Sequence, residues 1–257
     1  NDCTLLVDTY NVLKSGVPNA IIVFKELAEK GIRPSGIRID SGDITYLSIS
    51  ARKMLDDAGF SDCKIVASNS LDEYIIREII NQGAKVDSFG VGERLVTSRS
   101  EPVFGGVYKL SAVEINGEIV PKIKLSENVT KVTNPAFKEL WRLFDNTSGK
   151  AIADVITVFG EIIDDTKPYI IFHPEHIYKR KKLTNFTAKK LQQKIFEKGK
   201  CVYNSPKISE IKSYCAEQLD LIWDEFKRFE NPNEYYVDLS QKLYDVKHEL
   251  LNKYFDV

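Results

Sequence analysis

An arginine, two aspartates and a serine fall within one short stretch, Gly36-Ile37-Arg38-Ile39-Asp40-Ser41-Gly42-Asp43. A guanidinium stays charged and grips a carboxylate or phosphate through two parallel hydrogen bonds. Neighbouring carboxylates accept hydrogen bonds from sugar hydroxyls or help to place a divalent cation. Arg38 and Asp40 alternate with Ile37 and Ile39, and strand side chains alternate between faces. The isoleucines therefore belong to one face and the charged pair to the other. Charges on an inward-facing surface need polar company, so the pattern predicts a ligand or an ion pair at a strand end. Each residue also has a structural reading. Arg38 suits an ion pair with Asp40 or Asp43, and Ser41 or Asp43 suits a helix N-cap.

The flanking chain repeats this plan. Thr4 to Asp8, Ile37 to Asp40, Lys64 to Ala67 and Val86 to Phe89 read as strands. Helical periodicity separates them over Ala20–Lys30, Leu47–Ala58 and Asp72–Asn81, with Gly31, Gly59 and Gly83 as stops. Strict strand–helix alternation is the signature of parallel βα units. Every strand ends in polar or glycine residues: Asp8, then Asp40 to Asp43, then Ser68-Asn69, then Gly90 to Gly92. Ligands of parallel sheets bind at that edge, and a cradle made by successive strand ends is more specific than any single motif.

Beyond Glu101-Pro102 the grammar changes. Asn116-Gly117 between alternating segments predicts a hairpin, and Thr130 to Pro135 reads as a polar linker. Trp141–Asp145, Ala151–Phe159 and Tyr169–Phe172 read as strands. Phe186–Lys198, Lys207–Arg228 and Leu239–Tyr254 read as amphipathic helices. This places residues 1–112 in a partial βα barrel and 113–257 in an appended α+β region with long helices.

Composition narrows the function class. A formal net charge of −1 over 257 residues gives no global electrostatic footprint for nucleic acid. No run approaches the roughly eighteen apolar residues of a membrane span. Cys3, Cys63, Cys201 and Cys215 lack Cys-x-x-Cys spacing, so a reduced, cytoplasmic setting is expected. His173-Pro174-Glu175-His176 has His-x-x-His spacing, but its proline argues against a helical metal site. Lys179 to Lys182 reads as a solvated basic face.

In the order of its motifs, the chain resembles nicotinate phosphoribosyltransferase. The resemblance is carried by Leu5-Leu6-Val7-Asp8-Thr9-Tyr10, Ser15-Gly16-Val17-Pro18-Asn19-Ala20, Arg38-Ile39-Asp40-Ser41-Gly42-Asp43 and Ala67-Ser68-Asn69. Phe89-Gly90-Val91-Gly92, Gly105-Gly106-Val107-Tyr108-Lys109-Leu110 and the late Asn231-Pro232 with Tyr236-Val237-Asp238-Leu239-Ser240 continue it. The resemblance implies a type II phosphoribosyltransferase-like barrel that joins nicotinate to phosphoribosyl pyrophosphate (PRPP), releasing pyrophosphate, with Mg²⁺ and ATP. It also implies an upstream half with a catalytic histidine. None of that precedes Asn1, so the chain is expected to be a carboxyl-terminal half, inactive alone, that pairs with the missing half and forms a homodimer.

On that resemblance, Arg38 is expected to hold the nicotinate carboxylate. Asp40 and Asp43 are expected as catalytic carboxylates near the ribose, and Asp8 as a Mg²⁺ ligand. Ser41, Gly42, Ser68 and Asn69 are expected at the ribose and phosphate. The backbone N–H groups of Gly90, Val91 and Gly92 are expected to cradle the 5′-phosphate at the start of a short helix. Glu93 departs from the threonine common there, and its carboxylate is expected to point away. Two other readings remain open: nicotinamide phosphoribosyltransferase, and a non-catalytic phosphoribosyl- or nucleotide-binding module.

Overall fold

The computed structural model describes residues 3–103, 105–128, 131–176 and 178–255. Asn1, and Thr130 at the start of the expected polar linker, lie outside the described residues. The chain divides into two compact units, Asn1–Gly106 and Val107–Val257.

The first unit alternates β1 (Thr4–Leu6), α1 (Val17–Glu29), β2 (Gly36–Ile39), α2 (Ile44–Asp57), β3 (Lys64–Ala67), α3 (Glu73–Asn81), β4 (Ser88–Phe89) and the single-turn α4 (Glu93–Val96). The four strands form a parallel sheet in sequence order, β1-β2-β3-β4. A π-helical turn, Val12–Gly16, leads into α1 with Pro18 in its first turn, where a missing N–H is harmless. Asp43 and Asp72 cap α2 and α3 by accepting from the N–H of Tyr46 and Ile75. Val17, Ala20 and Phe24 of α1 and Ala51 and Leu55 of α2 pack with Ile37, Ile39 and Ile65 of the sheet. Each fully buried isoleucine contributes about 1.5–3 kcal/mol, so the helices fix which sheet face is covered. On the opposite face, register aligns Leu6, Arg38, Val66 and Ser88 in one row. Leu6 and Arg38 are exposed there.

In the second unit, β5 (Ala112–Ile115) and β6 (Glu118–Pro121) form the predicted hairpin, with Asn116 and Gly117 both at positive φ. A six-stranded sheet follows. Its strands are β7 (Lys138–Asp145), β8 (Ala151–Val158), β9 (Tyr169–Phe172), β10 (Arg180–Leu183), β11 (Phe186–Lys190) and β14 (Val237–Leu239), in the order β10-β9-β14-β8-β7-β11. Only β14 with β8 is parallel. Leu143, Val155, Ile171 and Phe186 form one core, and Leu239 of β14 and Leu243 of α6 (Gln241–Phe255) another with Ile156. A bidentate pair, Arg142 Nε and Nη2 on Asp154 Oδ1 and Oδ2 at 2.8 and 2.9 Å, is closed by the Tyr235 hydroxyl on Asp154 Oδ1 at 3.0 Å.

Two helical expectations fail here. Residues 186–198 are not a helix. Phe186–Lys190 is an edge strand on β7, and Lys198-Gly199, both at positive φ, turns the small hairpin of β12 (Phe196–Glu197) and β13 (Lys200–Cys201). Phe186 is buried and Thr187 exposed, a period of two that ladder pairing reinforces over the helical reading. The helix expected over 207–228 is α5, Ile208–Asp220. Its end is set by competition for carbonyls: the Lys150 ammonium donates to Asp220 O and the Ala151 N–H to Leu221 O. No residue of α5 is buried, so its apolar stripe of Ile208, Ile211 and Tyr214 does not enter a core of the second unit. Among the described residues no helix is long and apolar enough to cross a membrane.

Gly36 tests the packing of the parallel ladder. A Cβ there would stand 2.0 Å from Lys64 O, so Gly36→Ala must push β2 from β3. We expect a loss of about 3 kcal/mol or more in urea unfolding. Gly105→Ala, which meets no atom within 4 Å, serves as the neutral control.

Candidate functional site

The parallel register brings the carboxyl ends of β1, β2, β3 and β4 side by side, and with them most of the residues singled out by type. Asp8, just past β1, reaches β2: its Oδ2 accepts from the Asp40 N–H at 3.1 Å and the Ser41 hydroxyl at 2.6 Å. Arg38 reaches β3, where its Nε donates to Ser68 Oγ at 2.8 Å. The Ser68 hydroxyl in turn donates to Asp40 Oδ1, and Arg38 Nη2 lies 3.5 Å from that oxygen. Ser68 is only 4% exposed, so a buried hydroxyl ties a half-exposed guanidinium to a half-exposed carboxylate. The pair itself is worth no more than about 1 kcal/mol at such exposure. Its importance is geometric, because it aims one face of Arg38 and one oxygen of Asp40 away from the protein partners they share.

The glycine turn follows β4. The Gly90 N–H donates to Ala67 O at 2.8 Å, and a Cβ on Gly90 would stand 3.3 Å from Ser68 Cβ. Arg38, Ser68 and Gly90 are thus contiguous across three strands. Gly92 caps α4, and its carbonyl accepts from the N–H groups of Leu95 and Val96. The expected short helix after the glycine turn is present. Asn69 and Ser70 both hold positive φ, 93° and 48°, a conformation asparagine tolerates better than most residues.

Asp43 takes the structural role: its Oδ1 accepts from Tyr46 N–H at 3.0 Å as the cap of α2. Gly42 holds φ +81°, and a Cβ there would meet Leu47 Cδ1 at 2.9 Å, so the loop between Asp40 and Asp43 requires glycine. Asp8, Ser41 and Gly42 line a shallow groove of about 340 Å³ together with Lys14. Val91 lines a neighbouring cleft of about 530 Å³ with Arg94. Lys14 and Arg94 are cations that sequence reasoning did not assign. Arg94 forms an ion pair with Asp72, and Asp72 is held below the usual carboxyl range chiefly by the Ile75 N–H, with Arg94 adding to it. The only signal available for either residue was its nearness to a strand end.

The donor set bears on a cation. Among the described residues, no cluster of three or more His, Cys, Asp or Glu is placed to hold a metal. Asp8 and Asp40 each keep one carboxylate oxygen clear of the hydrogen bonds above. Mg²⁺ is commonly held by one or two carboxylates plus substrate phosphates, and this pair fits that mode rather than an all-protein cage. The His173 ring accepts through Nδ1 from the Glu175 and His176 N–H groups, each at 3.1 Å, so one of its nitrogens serves the turn itself.

A parallel α/β unit with an arginine, two carboxylates and a glycine turn on one sheet edge carries the kinds of group that phosphate and carboxylate ligands use. Comparison with known proteins narrows it. Residues 137–247 match the nicotinate phosphoribosyltransferase C-terminal domain. The chain is 46% identical over 98% of its length to nicotinate phosphoribosyltransferase of Bacillus subtilis, covering 51% of that protein. It is 37% identical over 97% of its length to the Dictyostelium discoideum protein of the same name, covering 44% of it. The crystal structure of human nicotinic acid phosphoribosyltransferase superposes with a TM-score of 0.74 at 25% identity, over 97% of this chain and 46% of that one. The chain is thus similar over nearly its whole length to nicotinate phosphoribosyltransferases, and it spans about half the length of the curated relatives it matches.

Asp43 separates capping from chemistry. Asp43→Ala should lower stability by about 1 kcal/mol in denaturant titration through loss of the α2 cap. Asp43→Asn, an equally good cap, should restore it. A stability unchanged in Asp43→Ala would contradict the capping role.

Proposed function

We propose that this chain supplies the carboxyl-terminal part of an enzyme that joins nicotinate to PRPP, forming nicotinate mononucleotide and pyrophosphate. The observation that supports the reading is the Arg38–Ser68–Asp40 bridge beside the Gly90 turn, which puts a guanidinium, a carboxylate and a glycine-rich backbone on one sheet edge. In this reading the four parallel strands are an arc of a βα barrel, and the row Leu6–Arg38–Val66–Ser88 lies on its inner face. The remaining strands come from the part of the family protein that this chain does not span. That partner half and a second protomer are proposed to cover the exposed row, in a cytoplasmic homodimer.

The chemistry follows from charge. As pyrophosphate leaves, ribose C1 gains oxocarbenium character, so carboxylate oxygens near the ribose stabilise the transition state more than the ground state. Asp40 occupies that place, its orientation fixed by Ser68. Arg38 turns its free guanidinium edge to the nicotinate carboxylate and aligns the ring nitrogen with C1. The N–H groups of Val91 and Gly92, with Ser41, Gly42 and Asn69 nearby, bind phosphate and ribose oxygens. Asp8 and Asp40 would hold Mg²⁺ against the pyrophosphate, where a bound cation neutralises the leaving charge. ATP is proposed to be hydrolysed alongside the transfer by the whole protein.

The reading predicts that the 257-residue chain alone forms no nicotinate mononucleotide but still binds that product. In isothermal titration, Arg38→Gln should weaken binding of nicotinate mononucleotide by about tenfold or more (~1.4 kcal/mol). It should leave the weaker binding of nicotinamide mononucleotide nearly unchanged. Equal preference for acid and amide in the unsubstituted chain would move the assignment to the amide-using enzyme. Robust turnover by the chain alone would refute the need for the missing half.

A further inference from the structure

A second cleft, of about 840 Å³, lies in the Val107–Val257 unit, remote in sequence from the sheet edge described above. The volume is that of a small-molecule site. Its floor holds Asp238, in the middle of β14 and opposite Val155 of β8. Asp238 is 3% exposed. Among the described residues no hydrogen-bond donor is placed on its carboxylate, although buried carboxylates are ordinarily hydrogen-bonded. Burial pushes its carboxyl upward, while His173 and Lys181 draw it back. Its acceptors face the cleft and are open to a donor there.

The rim restricts what that donor is. Lys179, Arg180 and Lys181 line the same cleft together with Glu175 and Glu234, and the basic run offers an anionic group a partner at the rim. Lys181 Nζ stands 4.2 Å from the centre of the Tyr236 ring, which positions its charge at the cleft wall. His173 accepts two backbone N–H groups through Nδ1, so its proton sits on Nε2. Tyr178 and Tyr236 present exposed ring surface in the lining, suited to stacking on a flat heterocycle. A ligand that uses all of these groups donates hydrogen bonds at one end, is flat, and is anionic at the other.

We infer that this cleft binds a nucleoside phosphate whose base turns two adjacent N–H donors to Asp238 and whose phosphates meet Lys179, Arg180 and Lys181. Guanine is the purine with that edge: its ring N–H and exocyclic amine match the two oxygens of a carboxylate. Adenine offers one donor beside an acceptor and meets the carboxylate with a lone pair. The inference is independent of the phosphoribosyl reading, because the cleft shares no residue with that site and the test contains neither nicotinate nor PRPP.

Titration calorimetry on the 257-residue chain with GTP, ATP, XTP and tripolyphosphate tests it. GTP should bind about tenfold or more tighter than tripolyphosphate and tighter than ATP. Asp238→Asn replaces two acceptors by one acceptor and one donor, so it should weaken GTP by about tenfold and shift preference to XTP, whose base carries a carbonyl where guanine has its amine. Lys181→Gln should weaken every phosphate-bearing probe, GTP and tripolyphosphate alike. GTP binding no tighter than tripolyphosphate, or equal binding of GTP and ATP, overturns the inference; these arms also decide it if Asp238→Asn fails to fold. An unchanged GTP-to-XTP ratio in a folded Asp238→Asn protein overturns it equally.

Discussion

The first unit depends on the hydrogen-bonded ladder that holds β2 between β1 and β3 in parallel register. Parallel pairing sends all four strands in one direction, so every strand-to-loop junction falls on the same edge. Gly36 makes that pairing close, for the Lys64 carbonyl sits where a side chain would stand. The energy comes from the other face. Ile37, Ile39 and Ile65 are fully buried against α1 and α2, and each outweighs the exposed Arg38–Asp40 pair. Packing thus decides where the charges stand, and the charges then find local partners.

Those partners come from neighbouring strands rather than from nearby sequence. Asp8 braces the loop after β2, and Ser68 of β3 joins Arg38 to Asp40. A polar cluster assembled this way is rigid only while the ladder is intact, which couples the fold to the pocket it presents. The same residue types also serve the backbone. Asp43, Asp72 and Asn11 all accept N–H groups at helix starts, where the first backbone donors have no partner within the helix. The motif arrives in the sequence as a block, but the geometry divides it into Arg38 and Asp40, which share Ser68, and Asp43, which holds a helix.

The second unit is built on a different economy. Its mixed sheet buries Arg142 and Asp154 as a two-point pair with the Tyr235 hydroxyl completing the carboxylate's acceptors. The hydrogen bond to Asp154 raises Arg142 still further, and burial beside that carboxylate raises Tyr235. Removing one partner of such a set strands a buried charge and destabilises more than the set stabilises. Asp238, on the neighbouring strand, has no such completion, and that contrast within one sheet marks it out.

Much of the first unit was legible from periodicity alone, because strands of three or four residues alternate with amphipathic helices that glycine stops. The alternation of Ile37, Arg38, Ile39 and Asp40 was enough to assign faces, since a strand's side-chain period is two. The segment at Phe186–Lys190 was not legible. Its spacing suits either period locally, and pairing with β7 decided the matter. The end of α5 depended on Lys150 and Ala151, some seventy residues away, taking its last carbonyls. Sequence by itself determined which residue types could bind a carboxylate and a phosphate, because that is a property of their functional groups. Only the tertiary structure decided that Ser68 bridges Arg38 to Asp40 while Asp43 caps a helix, because a hydrogen bond is a matter of position and the ladder sets position.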